Sequence, residues 1–131
     1  MTTGETDLSR LIHNMSPRLN PGHYVFTRVD SEVPEGADPI VTVREVEGLT
    51  LILVKEQADA LSLSYDYVAA WITLEVHSSL EAIGLTAEVS RALTGEGISA
   101  NVVAGFAHDH VFVPVERADD ALRTLTELAT L

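Results

Sequence analysis

Apolar residues recur along this chain with two different periods. Ile72, Leu74 and Val76, like Val111, Val113 and Val115, occupy alternate positions, whereas Leu8, Leu11, Ile12 and Met15 fall at i, i+3, i+4 and i+7. The first spacing lines one face of a strand and the second one stripe of a helix. A short amphipathic helix is therefore expected from about Thr6 to Met15, with Thr6 as its cap and Pro17 and Pro21 ending it. "YVFTRV", Tyr24 to Val29, is rich in aromatic and β-branched residues and precedes the polar "DSEVPEGADP", so it reads as a strand followed by a surface loop. "IVTVREV" and "LTLILV" flank Glu47-Gly48 as the arms of a hairpin, and a short helix from Glu56 to about Leu63 follows.

The second half predicts a strand from about Ala70 to His77, a helix from about Gly84 to Thr94, strands Ile98 to Ala104 and His110 to Val115, and a helix from Arg117 to about Leu128. That order is β-α-β-β-α. Leu85, Val89, Ala92 and Leu93 line one helix and Ala118, Ala121, Leu122, Leu125 and Leu128 the other, so both should pack on one sheet face. Trp71, Thr73 and Phe112 fall on the opposite face, which is expected to be covered by the other half or by a second chain. The halves also resemble each other. "TLILVKEQADAL" laid on "VFVPVERADDAL" matches Val54, Asp59, Ala60 and Leu61 to Val115, Asp120, Ala121 and Leu122, a strand leading directly into a helix each time. Between Val29 and Ile40 there is no room for the helix that the second copy has, so the first copy is degenerate.

Composition narrows the function classes. The chain has 131 residues, 46% of them hydrophobic and 21% charged, which suits a folded globular protein. Twenty acidic residues against 8 Lys plus Arg give a net charge of -12, which repels a phosphate backbone or an anionic bilayer; neither nucleic acid nor membrane is an expected partner. No cysteine is present, which excludes thiol catalysis and Cys-ligated zinc. The start, Met-Thr-Thr-Gly-Glu-Thr-Asp, has no basic and apolar leader, and the expectation is a cytoplasmic protein. No Walker loop, dinucleotide fingerprint or zinc-protease helix occurs, and no nucleophile is paired with a base, so no enzyme activity and no cofactor are expected.

Two stretches carry candidate chemistry. In "VHSSLEAIGL" a strand gives way to a helix, and such a join presents free amides and the positive end of a helix dipole to an anion. Gly84 would let a ligand approach, Ser78 and Ser79 supply hydroxyls, and Glu75 or Glu81 would face an ammonium group. On the expected topology Asn101 sits at the same end of the sheet as His77. The competing reading is structural: Ser78 and Glu81 satisfy the S-x-x-E capping box, so the join need only start a helix. In "HDH", His108 to His110, three metal-capable side chains cluster, but the turn that holds them is expected at the far end of the sheet from His77, about 20 Å away. No metal site is assigned on that basis.

The β-α-β-β-α order, "GLTAEVSRALTGEGISANVV" and "HDHVFVPVERADDAL" resemble ACT domains, and the chain is similar over nearly its whole length to small bacterial tandem-ACT proteins of unassigned function. The resemblance implies an α+β fold of two tandem ferredoxin-like ACT units, the first degenerate, here divided as 1–66 and 67–131. It also implies side-by-side association through sheets into a homo-oligomer, and a small amino-acid-like effector held at the loop between first strand and first helix. Carried to this chain, the ligand residues are His77, Ser78, Ser79, Ile83, Gly84, Leu85 and, through topology, Asn101. The expected function is a non-catalytic sensor, with a ligand-free assembly module as the rival and a His-dependent metal protein third. Two departures from the family pattern stand out: the N-terminal helix is expected to cover the first unit's sheet in place of its absent helix, and the second unit lacks a final strand.

Overall fold

The computed structural model describes residues 7–76 and 80–130. They form two units, Pro21–Ala70 and the described parts of Met1–Asn20 with Trp71–Leu131. The division 1–66 and 67–131 follows chain order; the compact units do not, because the N-terminal segment falls with the C-terminal half.

The Pro21–Ala70 unit holds β2 (Tyr24–Val29), β3 (Val41–Glu45), β4 (Gly48–Val54), α2 (Lys55–Ala60) and the start of β5 (Val68–Glu75). β4 is antiparallel to both β2 and β3, and β2 pairs with β5 through Tyr24 and Ala69, so the order is β3-β4-β2-β5. No helix joins β2 to β3, as the sequence led one to expect. Val25, Leu49, Leu51, Leu53 and Ala58 form the core, and burying each large aliphatic side chain stabilises the fold by about 1.5–3 kcal/mol.

The other unit contains α1 (Leu8–Asn14), β1 (Ser16–Leu19), the rest of β5, α3 (Leu85–Gly95), β6 (Asn101–Ala104), β7 (Asp109–Pro114) and, after a 3-10 turn at Val115–Arg117, α4 (Ala118–Thr130). β1 pairs antiparallel with β5, from Ser16 opposite Glu75 to Leu19 opposite Ile72. On its other side β5 neighbours β7, which pairs with β6. The final strand missing from the C-terminal half is thus β1. Pro17, read from the sequence only as a helix stop, is tolerated within β1 because this strand is bonded on one side alone.

α1 is capped by Asp7, whose carboxylate accepts the Arg10 amide at 3.1 Å; the expected cap Thr6 lies outside the described residues. The helix packs on α3 and α4, with Leu11 fully buried, and so covers this unit rather than standing in for the first unit's absent helix. Leu85, Val89 and Leu93 of α3 and Ala121 and Leu125 of α4 are buried with Ile72, Leu74, Val111 and Val113 of the sheet. Arg117 donates to the Glu96 carbonyl at 3.0 Å and pairs with Asp120 at 3.0 Å, placing a cation at the C-terminal end of α3. On the opposite face Phe112 and Thr73 are buried and Trp71 half-buried, the Trp71 and Phe112 rings stacked at 6.3 Å.

Candidate functional site

Among the described residues no side chain caps the start of α3. Its N-cap residue is Gly84, in the left-handed region at φ +103°, and the helix starts at Leu85. Glu81 lies in the turn before it, so the capping box read at Ser78 and Glu81 does not start this helix. The first amides of an α-helix have no intrahelical acceptor, and the helix dipole adds partial positive charge at the same point. Gly84 is required here twice over: a side chain would be strained at this φ, and an added Cβ would lie 2.9 Å from Leu8 Cδ2.

A cavity of about 180 Å³ opens at this helix start. Leu80, Ala82 and Gly84 of the loop, Leu85 and Thr86 of the first turn, and Ala104 and Asp109 of the β6–β7 hairpin line it. The hairpin is therefore at the same end of the sheet as the loop, not at the far end as expected. Trp71 faces Phe112, Thr73 reaches His110, and Val76 reaches His108, so positions ascending β5 descend β7 and the two strands run antiparallel. β6, antiparallel to β7, then runs parallel to β5, and its C-terminal turn arrives where β5 ends. His108 Nδ1 donates to the Val76 carbonyl at 3.3 Å, so the distance argument placing "HDH" about a strand length from His77 does not hold. Among the described residues no three His, Asp or Glu side chains converge as a metal site.

The expected site residues divide three ways. Gly84 and Leu85 line the cavity, Leu85 being buried. Ile83 is 86% exposed and is not among the residues lining it. Asn101 is exposed, sits opposite Phe112, and lies three residues down β6 from Ala104, roughly 10 Å along the strand, so the parallel crossover carries it to the wrong end. His77, Ser78 and Ser79 lie outside the described residues.

Asp109, weighed in the sequence only as a metal-capable side chain within "HDH", is the acidic residue that lines this cavity. It is 9% exposed, and among the described residues its carboxylate has no hydrogen-bond or ion-pair partner. Burial pushes its pKa above the ordinary carboxylate value, partly offset by His110 and His108. The signal was available: Asp109 is in phase with Val111 and Val113, so a carboxylate sits on the helix-facing row of β7. The two acidic residues named for the ammonium role are placed otherwise, Glu75 bridged to Arg18 at 2.9 Å and Glu81 exposed. The first turn of α3, with Thr86, and the buried Asp109 thus border one small cavity, a helix start and an acidic residue that suit the opposite charges of a zwitterion.

A larger depression of about 1080 Å³ lies on the Pro21–Ala70 unit between Phe26, Val43, Thr50 and Tyr65. Its charged groups Arg28, Glu45 and Asp66 are all exposed, so it lacks a buried charge like that of Asp109 in the smaller cavity.

Two ACT domain family models match the chain, over residues 3–70 and 67–127. A Vibrio cholerae crystal structure, titled a protein of unknown function and possible transport protein, is 47% identical over 93% of this chain and 95% of that one, with a TM-score of 0.85. An Agobacterium tumefaciens structure shares 17% identity over 88% of this chain and 89% of its own, with a TM-score of 0.75. The ligand-free regulatory subunit of Thermus thermophilus aspartate kinase shares 12% identity over 89% of this chain and 97% of its own, with a TM-score of 0.63; these last two likenesses speak for the fold alone. No curated protein matches the sequence. With a family match over each half, this chain belongs to the ACT domain family, as a tandem of two ferredoxin-like units.

Proposed function

We propose that this protein is a non-catalytic ACT-type sensor that binds a small α-amino acid in the cavity between the start of α3 and the β6–β7 hairpin. The observation that carries the reading is the buried Asp109, whose carboxylate has no partner among the described residues, beside a helix N-terminus that none of those residues caps with a side chain. A ligand carboxylate would accept from the α3 amides and the Thr86 hydroxyl, and its ammonium group would meet Asp109. The cavity of about 180 Å³ equals roughly six water volumes, which favours a compact side chain over a long or aromatic one.

A thermal-shift panel of the common amino acids tests it. A binder present at a hundred times its Kd stabilises the protein by about 2.7 kcal/mol. Asp109→Asn should abolish that shift, because it removes the charge that recognises the ammonium group without changing shape. Gly84 is a poorer control, since a larger residue there collides with Leu8. A panel in which no amino acid shifts the melt, or in which Asp109→Asn responds like wild type, defeats the reading.

Ligand-free assembly is the second reading, favoured by the open edge of β3, where Val43 is 47% exposed. A mass that grows with protein concentration, unaffected by amino acids, would favour it.

A further inference from the structure

On the sheet face opposite the cavity, one histidine is held in a single protonation state by hydrogen-bond geometry. Trp71 Nε1 lies 3.0 Å from His110 Nδ1, and Thr73 Oγ1 lies 3.2 Å from the same atom. An indole N–H only donates, so Nδ1 must carry its lone pair and the ring is neutral, with its proton on Nε2. Thr73 can reverse its role on protonation; the indole cannot. Thr73 is itself held by Asn20, which donates to Oγ1 at 2.9 Å and to the Trp71 carbonyl at 3.2 Å, and Arg18 donates to Asn20 Oδ1 at 2.6 Å. The other edge of the imidazole has little room: a Cβ on Gly105 would lie 3.1 Å from His110 Nε2 and 2.8 Å from the His108 carbonyl.

The groups facing His110 within this unit are Arg18 from β1, with Glu75 of β5 bound to it, and His108 and Asp109 from its own hairpin. Burial, His108 and Arg18 all oppose its protonation, and Asp109 alone favours it. Asp109 and His110 are consecutive on β7, so their side chains leave opposite faces of the strand. One enters the cavity and the other meets Trp71.

We propose that His110 is a proton-operated latch on the candidate effector cavity: while neutral it accepts the Trp71 indole and holds the start of β7 in place, and on protonation it releases Trp71 and displaces Asp109. This inference takes its regulatory meaning from the amino-acid reading above, but its mechanical part is measurable without a ligand. Trp71 is the single tryptophan, so one indole N–H resonance reports the bond.

The experiment is a ¹H–¹⁵N NMR titration of the full chain from pH 8 to pH 5. The indole signal and the backbone amides of Asp109 and Ala104 should shift together, with a midpoint below the ordinary imidazole value of 6.5. His110→Asn, whose amide oxygen can take the place of Nδ1, should hold all three signals still. Trp71→Phe retains the stacked ring and removes the donor; it should move the His110 ring titration up toward 6.5, a readout that remains if His110→Asn fails to fold. Amino-acid affinity should weaken at least about fivefold over the same interval in wild type and not in His110→Asn. An indole that titrates while the Asp109 amide stays fixed, or an indole that does not titrate, overturns the latch. Coupled titration with no amino acid bound at any pH leaves the latch standing and sinks the functional reading instead.

Discussion

Gly84 and Leu8 share a contact that neither position announces in the sequence. Left-handed geometry costs a residue with a Cβ about 1–2 kcal/mol, so Gly84→Ala should lower the melting temperature, and Leu8→Ala in the same chain should recover the part due to the 2.9 Å collision. Asp109 makes the opposite kind of prediction. Its pKa is raised in the folded state, so folding disfavours the ionised form, and the stability this withholds returns as pH falls through the folded value. Asp109→Asn should therefore melt higher than wild type at pH 7.5, with the gap closing toward pH 4 in calorimetry, even as ligand response disappears. At this scale the sequence was legible wherever a residue's role followed from local pattern: the glycine before α3 was readable from "IGL". Asp109 was hidden because aspartate is an ordinary turn former, and its place at the cavity follows only from the meeting of its hairpin with Leu80 and Ala82 of a distant loop and Thr86 of α3.

The elements with strong periodicity are where the pattern placed them. β5, α3, β7 and α4 match the expected segments to within two residues at most ends, because each presents a long apolar row to a single core. β1 was unreadable: four residues containing Pro17 make no periodic signal, and only pairing with β5 gives them a shape. The site's geometry failed for a different reason, since the direction in which a crossover delivers its next strand is a property of topology and cannot be read within one segment. Reversing β6 moved Asn101 away from the cavity and brought Asp109 and His108 toward it. α1 should matter to the C-terminal half in particular. Leu11→Ala, which empties a fully buried position, is expected to cost about 2–5 kcal/mol in urea denaturation.

Across the whole molecule, the Pro21–Ala70 unit is an insertion within the other, entering after Asn20 and leaving at Trp71. A fragment of residues 67–131 lacks both β1 and α1, and it should show no cooperative thermal transition even though a family match covers it almost entirely. If that fragment melts cooperatively by calorimetry, β1 is an accessory rather than the completing strand. The entry and exit are themselves joined, the Asn20 amide donating to the Trp71 carbonyl at 2.8 Å. On a ribosome adding about 5–20 residues per second, β1 would wait roughly 3–10 seconds for β5 to emerge. During that pause its only protection is its own brevity and the missing donor of Pro17, while the intervening fifty residues can fold and draw the two ends of their loop together. The nascent chain thereby receives its closing strand first and can place it only after the inserted unit has been made.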